Sequence, residues 1–252
     1  ALMLGVFFPI MNFSKLTDDQ IKKFEKTLKF GVPSARKAVL KKIEELKEEK
    51  TYSLIEYTVK NDNNDEVLIL AYQLVRRFEI KGLEEYIFKT LEQTQNNNVK
   101  SQALRTLGQM KYSKAFKKAL EGLKSEDAQV KSSAIFTLGE LKNKKALEKL
   151  YEMVDTMDEK EEVLQEIVQA IGKIGDKKSI PKLKEILENP GYSKFVRMYV
   201  PIALAKIGSK EVAEILIKTT RNAEYLIRIR AIYALSLLKD VKIETLEKTL
   251  IN

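Results

Sequence analysis

The stretch "AIGKIGDKKSIPKLKEIL", residues 170–187, decides the fold. Apolar residues at helical spacing flank it on both sides, yet Gly172 and Gly175 interrupt the pattern and Pro181 follows soon after. A glycine inside a helix costs about 1 kcal/mol relative to alanine. The chain has only 10 glycines in 252 residues, so two of them this close together need a reason. The reason comes from other stretches that align with this one.

"VKSQALRTLGQM" starts at Val99, "VKSSAIFTLGEL" at Val130, "VLQEIVQAIGKIG" at Val163 and "VRMYVPIALAKIG" at Val196. The starts lie 31 to 33 residues apart. The phase runs on to "IRIRAIYALSLL" from Ile227 and back to "VLILAYQLVRRF" from Val67 and "ARKAVLKKIEEL" from Ala35, giving seven units. Val99, Ala103, Leu107 and Met110 form one helical stripe, and so do Val130, Ala134, Leu138 and Leu141, and Val163, Ile167, Ile171 and Ile174. A second stripe follows a turn in each unit. It reads Phe116, Leu120 and Leu123, then Leu147, Leu150 and Val154, then Ile180, Leu183 and Leu187. Each unit is therefore a helical hairpin that cannot bury its apolar faces alone. The expected fold is all-α, an α-solenoid of about seven stacked hairpins in which each touches only its neighbours.

This periodicity gives the glycines their roles. Gly108, Gly139 and Gly172 share one place in three successive units, and Ala205 and Ser236 take it in two more. A small residue there lets two helix backbones approach. Gly175 and Gly208 end their first helices, where glycine can adopt the left-handed conformation. Asn143, Asp176, Ser209 and Asp240 come next in phase and suit the N-cap of the second helix. Pro181 falls in that helix's first turn, where its missing N–H costs little. No phosphate-binding glycine pattern is present.

Before the repeats, "TDDQIKKFEKTLKFG" reads as a capping helix, with Thr17 and Gln20 as a capping box and Gly31 closing it. The expected organisation is an apolar segment plus capping helix over residues 1–33 and a single repeat array over 34–252. "ALMLGVFFPIMNF", residues 1–13, is too short to span a bilayer. Three readings of it stay open: the end of an export or anchor segment, a cover for the core, or a partner-binding segment. The terminal "IETLEKTLIN" reads as the second helix of the last unit.

Composition narrows the chemistry. The chain has no Cys and no His, which removes thiolate chemistry, the commonest general base and the commonest metal ligand. It has no Trp, and its formal net charge of +9 permits polyanionic partners. No pair of carboxylates departs from the repeat to form a pocket. The aromatics Phe88, Phe116, Phe136 and Tyr151 sit at apolar phase positions and are expected to pack in the core. The expectation is a protein without catalytic activity, metal or cofactor.

Two basic rows stand out. Fourteen or fifteen residues after each unit start lie Lys50, Lys81, Lys114, Lys144 with Lys145, Lys177 with Lys178, Lys210 and Lys242, expected just inside the second helix. A cation is disfavoured beside a helix N-terminus, so this row is either a binding ridge or a solvated edge. One residue after the unit starts come Arg36, Lys100, Lys131, Arg197 and Arg228, read as a ladder pairing with acids of adjacent units, Asp127 and Glu224 among them. Residues 99–129 hold seven Lys or Arg against three acids, whereas 130–162 hold six against eight, which interrupts any continuous nucleic-acid track. The candidate partner-binding residues are Lys114, Lys117, Lys144, Lys145, Lys177, Lys178, Lys210, Arg221 and Arg228. Tyr199 and Pro201 break the register of their unit slightly.

"AIGKIGDKKSIPKLKEIL", with "TLGELKNKKALEKL" from Thr137 and "ALAKIGSKEVAEIL" from Ala203, resembles the HEAT-repeat family, in particular its short bacterial phycobilisome-lyase-like branch. The resemblance covers about residues 99–238 well and 35–98 loosely. It implies a rigid surface that binds another macromolecule. HEAT-like deoxyhypusine hydroxylases hold iron through His–Glu pairs, which no position here can supply. The resemblance to basic DNA-alkylation-repeat proteins leaves nucleic acid as an alternative partner. The expected function is a scaffold binding a protein with an acidic surface through the second-helix face and the lysine edge. Its expected location is the cytoplasm, or an exported or membrane-attached state if residues 1–13 end a targeting segment.

Overall fold

The computed structural model describes residues 16–238. Helix follows helix along the chain: α1 Asp18–Phe30, α2 Pro33–Leu46, α3 Tyr52–Asn61, α4 Asp65–Arg77, α5 Glu84–Gln93, α6 Asn97–Gln109, α7 Ala115–Gly122 and α8 Ala128–Leu141. Then come α9 Leu147–Thr156, α10 Glu161–Ile174, α11 Ile180–Glu188, α12 Lys194–Arg197, α13 Val200–Ile207, α14 Lys210–Thr219 and α15 Tyr225–Ser236. No strand occurs among the described residues, and no described helix is long and apolar enough to cross a membrane. The readings of residues 1–13, Asp240, Lys242 and the terminal helix lie outside the described residues.

The chain divides inside α4 into two compact units, Ala1–Ala71 and Tyr72–Asn252. The boundary expected after residue 33 falls within the first. In that unit α1 packs on α2 and α3. Its capping box forms as the sequence indicates: Gln20 N–H donates to Thr17 Oγ1 at 3.3 Å, and Thr17 N–H donates to Gln20 Oε1 at 2.9 Å. Leu40, Ile43 and Ile55 are fully buried there.

The second unit is an α-solenoid stack. Helices α6, α8, α10, α13 and α15 lie one on the next, while α7, α9, α11 and α14 pack against first helices and not comparably against one another. The aligned glycines explain the tight side. A Cβ on Gly108 would stand 2.9 Å from Thr137 Cα, one on Gly139 3.0 Å from Ala170 Cα, and one on Gly172 2.5 Å from Ala203 Cα. Each glycine meets the residue seven places into the next unit, so the backbones touch where the sequence keeps both partners small. On the second-helix side the layers stand further apart, and a groove of about 1040 Å³ opens between α11 and α14.

The first-helix stripes are buried as expected at Val99, Ala103, Leu107, Val130, Ala134, Leu138, Val163, Ile167, Ile171 and Ile174, with Met110 and Leu141 half-buried at the ends. On α7 Ala115 and Ala119, one position ahead of the expected Phe116 and Leu120, are buried and those two are half-buried, while Leu123 at the C-cap is buried as expected. Phe88, Phe136 and Tyr151 are likewise half-buried and mark the margins of a core that is mainly aliphatic. Small residues at the crossings leave no room for rings there. The register break at Tyr199 and Pro201 is a real interruption. The first helix of that unit splits into α12 and α13, with Pro201 in the first turn of α13, where it needs no N–H partner.

Candidate partner-binding edge

The connection from first to second helix is built the same way in successive layers. Asn143 Oδ1 accepts from Lys145 N–H at 3.0 Å, Asp176 Oδ1 from Lys178 N–H at 3.1 Å and Ser209 Oγ from Val212 N–H at 3.1 Å. A 3₁₀ turn, Lys144–Ala146 or Lys177–Ser179, then leads into α9 or α11. The edge lysines therefore sit mostly ahead of the second α-helix, not inside it: Lys144, Lys145, Lys177 and Lys178 in these turns, Lys114 at an N-cap and only Lys210 within a helix. Asp176 draws the backbone N–H of Lys178 and the ammonium of Lys144, which hold its carboxyl below the usual aspartate value.

The first helices end on a left-handed residue. Gly175 takes it at φ +75°, as expected, and Gly208 has φ +64° with ψ 121°. The same place, twelve residues into its unit, is left-handed at Lys47, Glu79, Lys111 and Lys142, with φ between 51° and 55°. Residue type hides this joint in those units, because neither lysine nor glutamate announces a positive φ.

The candidate cations divide into two groups. Lys114 pairs with Glu85 of the preceding layer at 2.5 Å and lies 5.7 Å over the Tyr112 ring. That carboxylate, with the Tyr112 hydroxyl, raises its pKa. Lys144 pairs with Asp176 of the next layer at 3.1 Å. The Arg228 guanidinium donates to the Asn222 and Ala223 carbonyls, both at 2.8 Å, and staples its own loop. These three are engaged in holding the fold. Lys117, Lys145, Lys177, Lys178, Lys210 and Arg221 are exposed and make no ion pair among the described residues. Four of these six recur at one edge, layer after layer. Arg221 lies apart, on the rim of the groove between α11 and α14. Arg230 sits 6.0 Å over the Tyr199 ring of the preceding layer.

The second basic row is largely spent on structure. Arg36 Nε stands 2.7 Å from Asp62 Oδ2, Lys131 Nζ 2.6 Å from Glu159 Oε1, and Arg197 pairs with Glu224. The expected Asp127 pair is not made. That carboxylate caps α8 through Gln129 and Val130 N–H and accepts from Asn97. The sequence reading passed over the polar residues on the first-helix face. There Arg105 reaches Ser133 Oγ and Glu166, each at 3.3 Å, and the Phe136 ring lies between Arg105 at 4.8 Å and Lys173 at 4.2 Å. The signal available was their place at outward offsets of the aligned units. No group of three or more Asp, Glu, His or Cys placed to hold a metal occurs among the described residues.

Comparison with known proteins matches residues 116–197 to the family model for HEAT repeats. No curated protein sequence matches the chain. Among solved structures, an engineered protein is similar at TM-score 0.55 and 16% identity, covering 88% of this chain and 69% of that one. Human deoxyhypusine hydroxylase in complex with glycerol is similar at TM-score 0.39 and 13% identity, over 88% of this chain and 97% of that one. A designed armadillo repeat protein in complex with the peptide (KR)4 is similar at TM-score 0.46 and 17% identity, over 87% and 100%. By its aligned helices and its glycine crossings the chain is a helical repeat protein, and its residues 116–197 match the family model for HEAT repeats.

Proposed function

We propose that the protein is a non-enzymatic scaffold whose lysine edge holds the acidic surface of a protein partner. The observation that carries this reading is the edge itself. Lys145, Lys177, Lys178 and Lys210 recur at the start of the second helix in successive layers, exposed and without an ion pair among the described residues. Lys114 and Lys144, at the same place, spend their charge on Glu85 and Asp176. Unpaired charges repeated along a rigid edge steer an oppositely charged partner and set its register. The absence of Cys and His from the sequence supports a binding role over a catalytic one. The proposed location is the cytoplasm.

Affinity capture from native lysate tests the reading, comparing the wild-type chain with a variant in which Lys145, Lys177, Lys178 and Lys210 are all changed to Glu. Loss of the specifically recovered proteins from the variant is expected, and equal recovery would remove the edge as the site. A parallel titration with duplex and single-stranded oligonucleotides separates the nucleic-acid alternative, for which affinity must fall steeply with salt.

A further inference from the structure

We propose that Arg76 and Arg105 form a carboxylate-binding site on the first-helix face of the second unit, taking an aspartate or glutamate side chain of a protein partner. Arg76 stands nine residues into its unit, the place held by Gly108, Gly139 and Gly172 in the next three aligned units. Where those glycines let helices touch, Arg76 reaches across to α6. Its Nη1 donates to Thr106 Oγ1 at 2.9 Å and Gln102 O at 3.3 Å, and its Nη2 to Gln102 Oε1 at 2.8 Å. All three acceptors are neutral. A guanidinium has five N–H groups, so one on Nε and one on Nη2 keep no acceptor among the described residues. Those two atoms form an edge with which arginine grips a carboxylate in two parallel hydrogen bonds.

Of the half-buried arginines, Arg36, Arg105 and Arg197 each have a carboxylate of their own, Asp62, Glu166 and Glu224, while Arg228 holds loop carbonyls and Arg230 lies over the Tyr199 ring. Arg76 has none among the described residues. Its neighbour Arg105 adds a second positive charge and holds Glu166 only at 3.3 Å. Burial, and then the Arg105 charge, push the Arg76 pKa down to about 10. An incoming anion relieves both effects. A recess of about 360 Å³ lies beside Arg76, with Gln109, Lys81 and Lys111 in its lining together with Glu79 and Glu84. Those two acids disfavour a phosphate dianion and leave room for a singly charged carboxylate. Gln109 also donates to the Arg76 carbonyl at 3.1 Å, which fixes the backbone from which the guanidinium extends. Lys81 of the lysine row lines this recess, but Lys145, Lys177, Lys178 and Lys210 do not, so variants at those four positions separate the two proposals.

The test measures binding of a fluorescent hexaglutamate peptide to the full chain by anisotropy at low salt. The wild type is compared with R76Q, R76K and a variant with Lys145, Lys177, Lys178 and Lys210 changed to Gln. R76Q is expected to weaken binding roughly tenfold, and R76K nearly as much, since lysine keeps the charge but loses the fork. The Gln edge variant is expected to keep the part of the binding that depends on Arg76. Unchanged affinity in both Arg76 variants, or loss of all binding in the edge variant, would overturn the site. Loss in the Arg76 variants with none in the edge variant would sustain it while counting against the edge. If R76Q does not fold, the Nε–H NMR signal of Arg76, assigned with R76K, is followed in the wild type. Saturable movement with the peptide is expected. No movement, or inorganic phosphate competing as well as the peptide, would contradict the proposal.

Discussion

Gly172 and Lys111 show two opposite ways in which a side chain can be wrong for its place. Helix propensity alone says that Gly172→Ala should stabilise by about 1 kcal/mol. The structure reverses the sign. The new Cβ would stand 2.5 Å from Ala203 Cα and 2.7 Å from its Cβ, so two packed helices must separate. Overpacking costs about 1–3 kcal/mol, and the melting temperature of Gly172→Ala is expected to fall below that of the wild type. Lys111 and Lys142 are left-handed with φ of 55° and 51°, a conformation that costs an L-residue about 1–2 kcal/mol. Replacing each with Gly is therefore expected to raise stability by about 0.5–1 kcal/mol, after the extra entropy that glycine loses on folding. A denaturant melt of each single variant checks this. The crossing glycines were legible in the sequence because they recur in phase. The left-handed joints were legible only at Gly175 and Gly208, where the residue type itself reports the backbone. Acid titration gives a third residue-scale expectation. The lowered pKa of Asp176 contributes stability that is present above the ordinary aspartate value, near pH 4, and lost as pH falls through the depressed value. Asp176→Asn keeps the capping oxygen and removes the ionisation, so stability measured against pH should fall less steeply below pH 4 in this variant.

At the scale of elements, the ladder from one first helix to the connection ahead of the next joins layers that the glycines bring together. Lys131 bridges from α8 to Glu159, just before α10, and both side chains are mostly buried. A double-mutant cycle with Lys131→Met and Glu159→Gln is expected to show a coupling of about 1 kcal/mol, at the upper end for exposed pairs because water screens this one less. A coupling of zero would make the pair incidental. The sequence marked the cations of this ladder through their phase. It did not find the acids Asp62 and Glu159, which stand in connections whose register depends on packing. Asp127 looked available to the ladder but is taken by its own helix N-terminus. The half-buried aromatics have a related explanation. Apolar phase positions at the ends and outer margins of helices read like core in a sequence, yet lie at its border in the fold.

At the scale of the whole molecule, repetition made the fold legible and left the site only partly so. Successive layers repeat their stripes and caps, and three of them the crossing glycine, so alignment of the chain with itself suffices to find them. Binding depends on what differs between layers. Lys114, Lys144 and Arg228 looked like their neighbours in phase, but packing brings each an acceptor, Glu85, Asp176 and the 222–223 carbonyls. Arg76 is the converse, a departure from the glycine position that marks a feature of its own. The unpaired lysines are thus what remains of the row after the fold has used the rest, and the proposed function rests on them. Photo-crosslinking tests this most directly. A benzophenone amino acid is placed singly at position 145, 178 or 210, and as a control at position 149, where the lysine is ion-paired to Glu152 on the same helix. The account predicts that the three edge positions capture one and the same protein in native lysate and that position 149 does not. Capture of unrelated proteins at the three edge positions, or equal capture of that protein at 149, would contradict it.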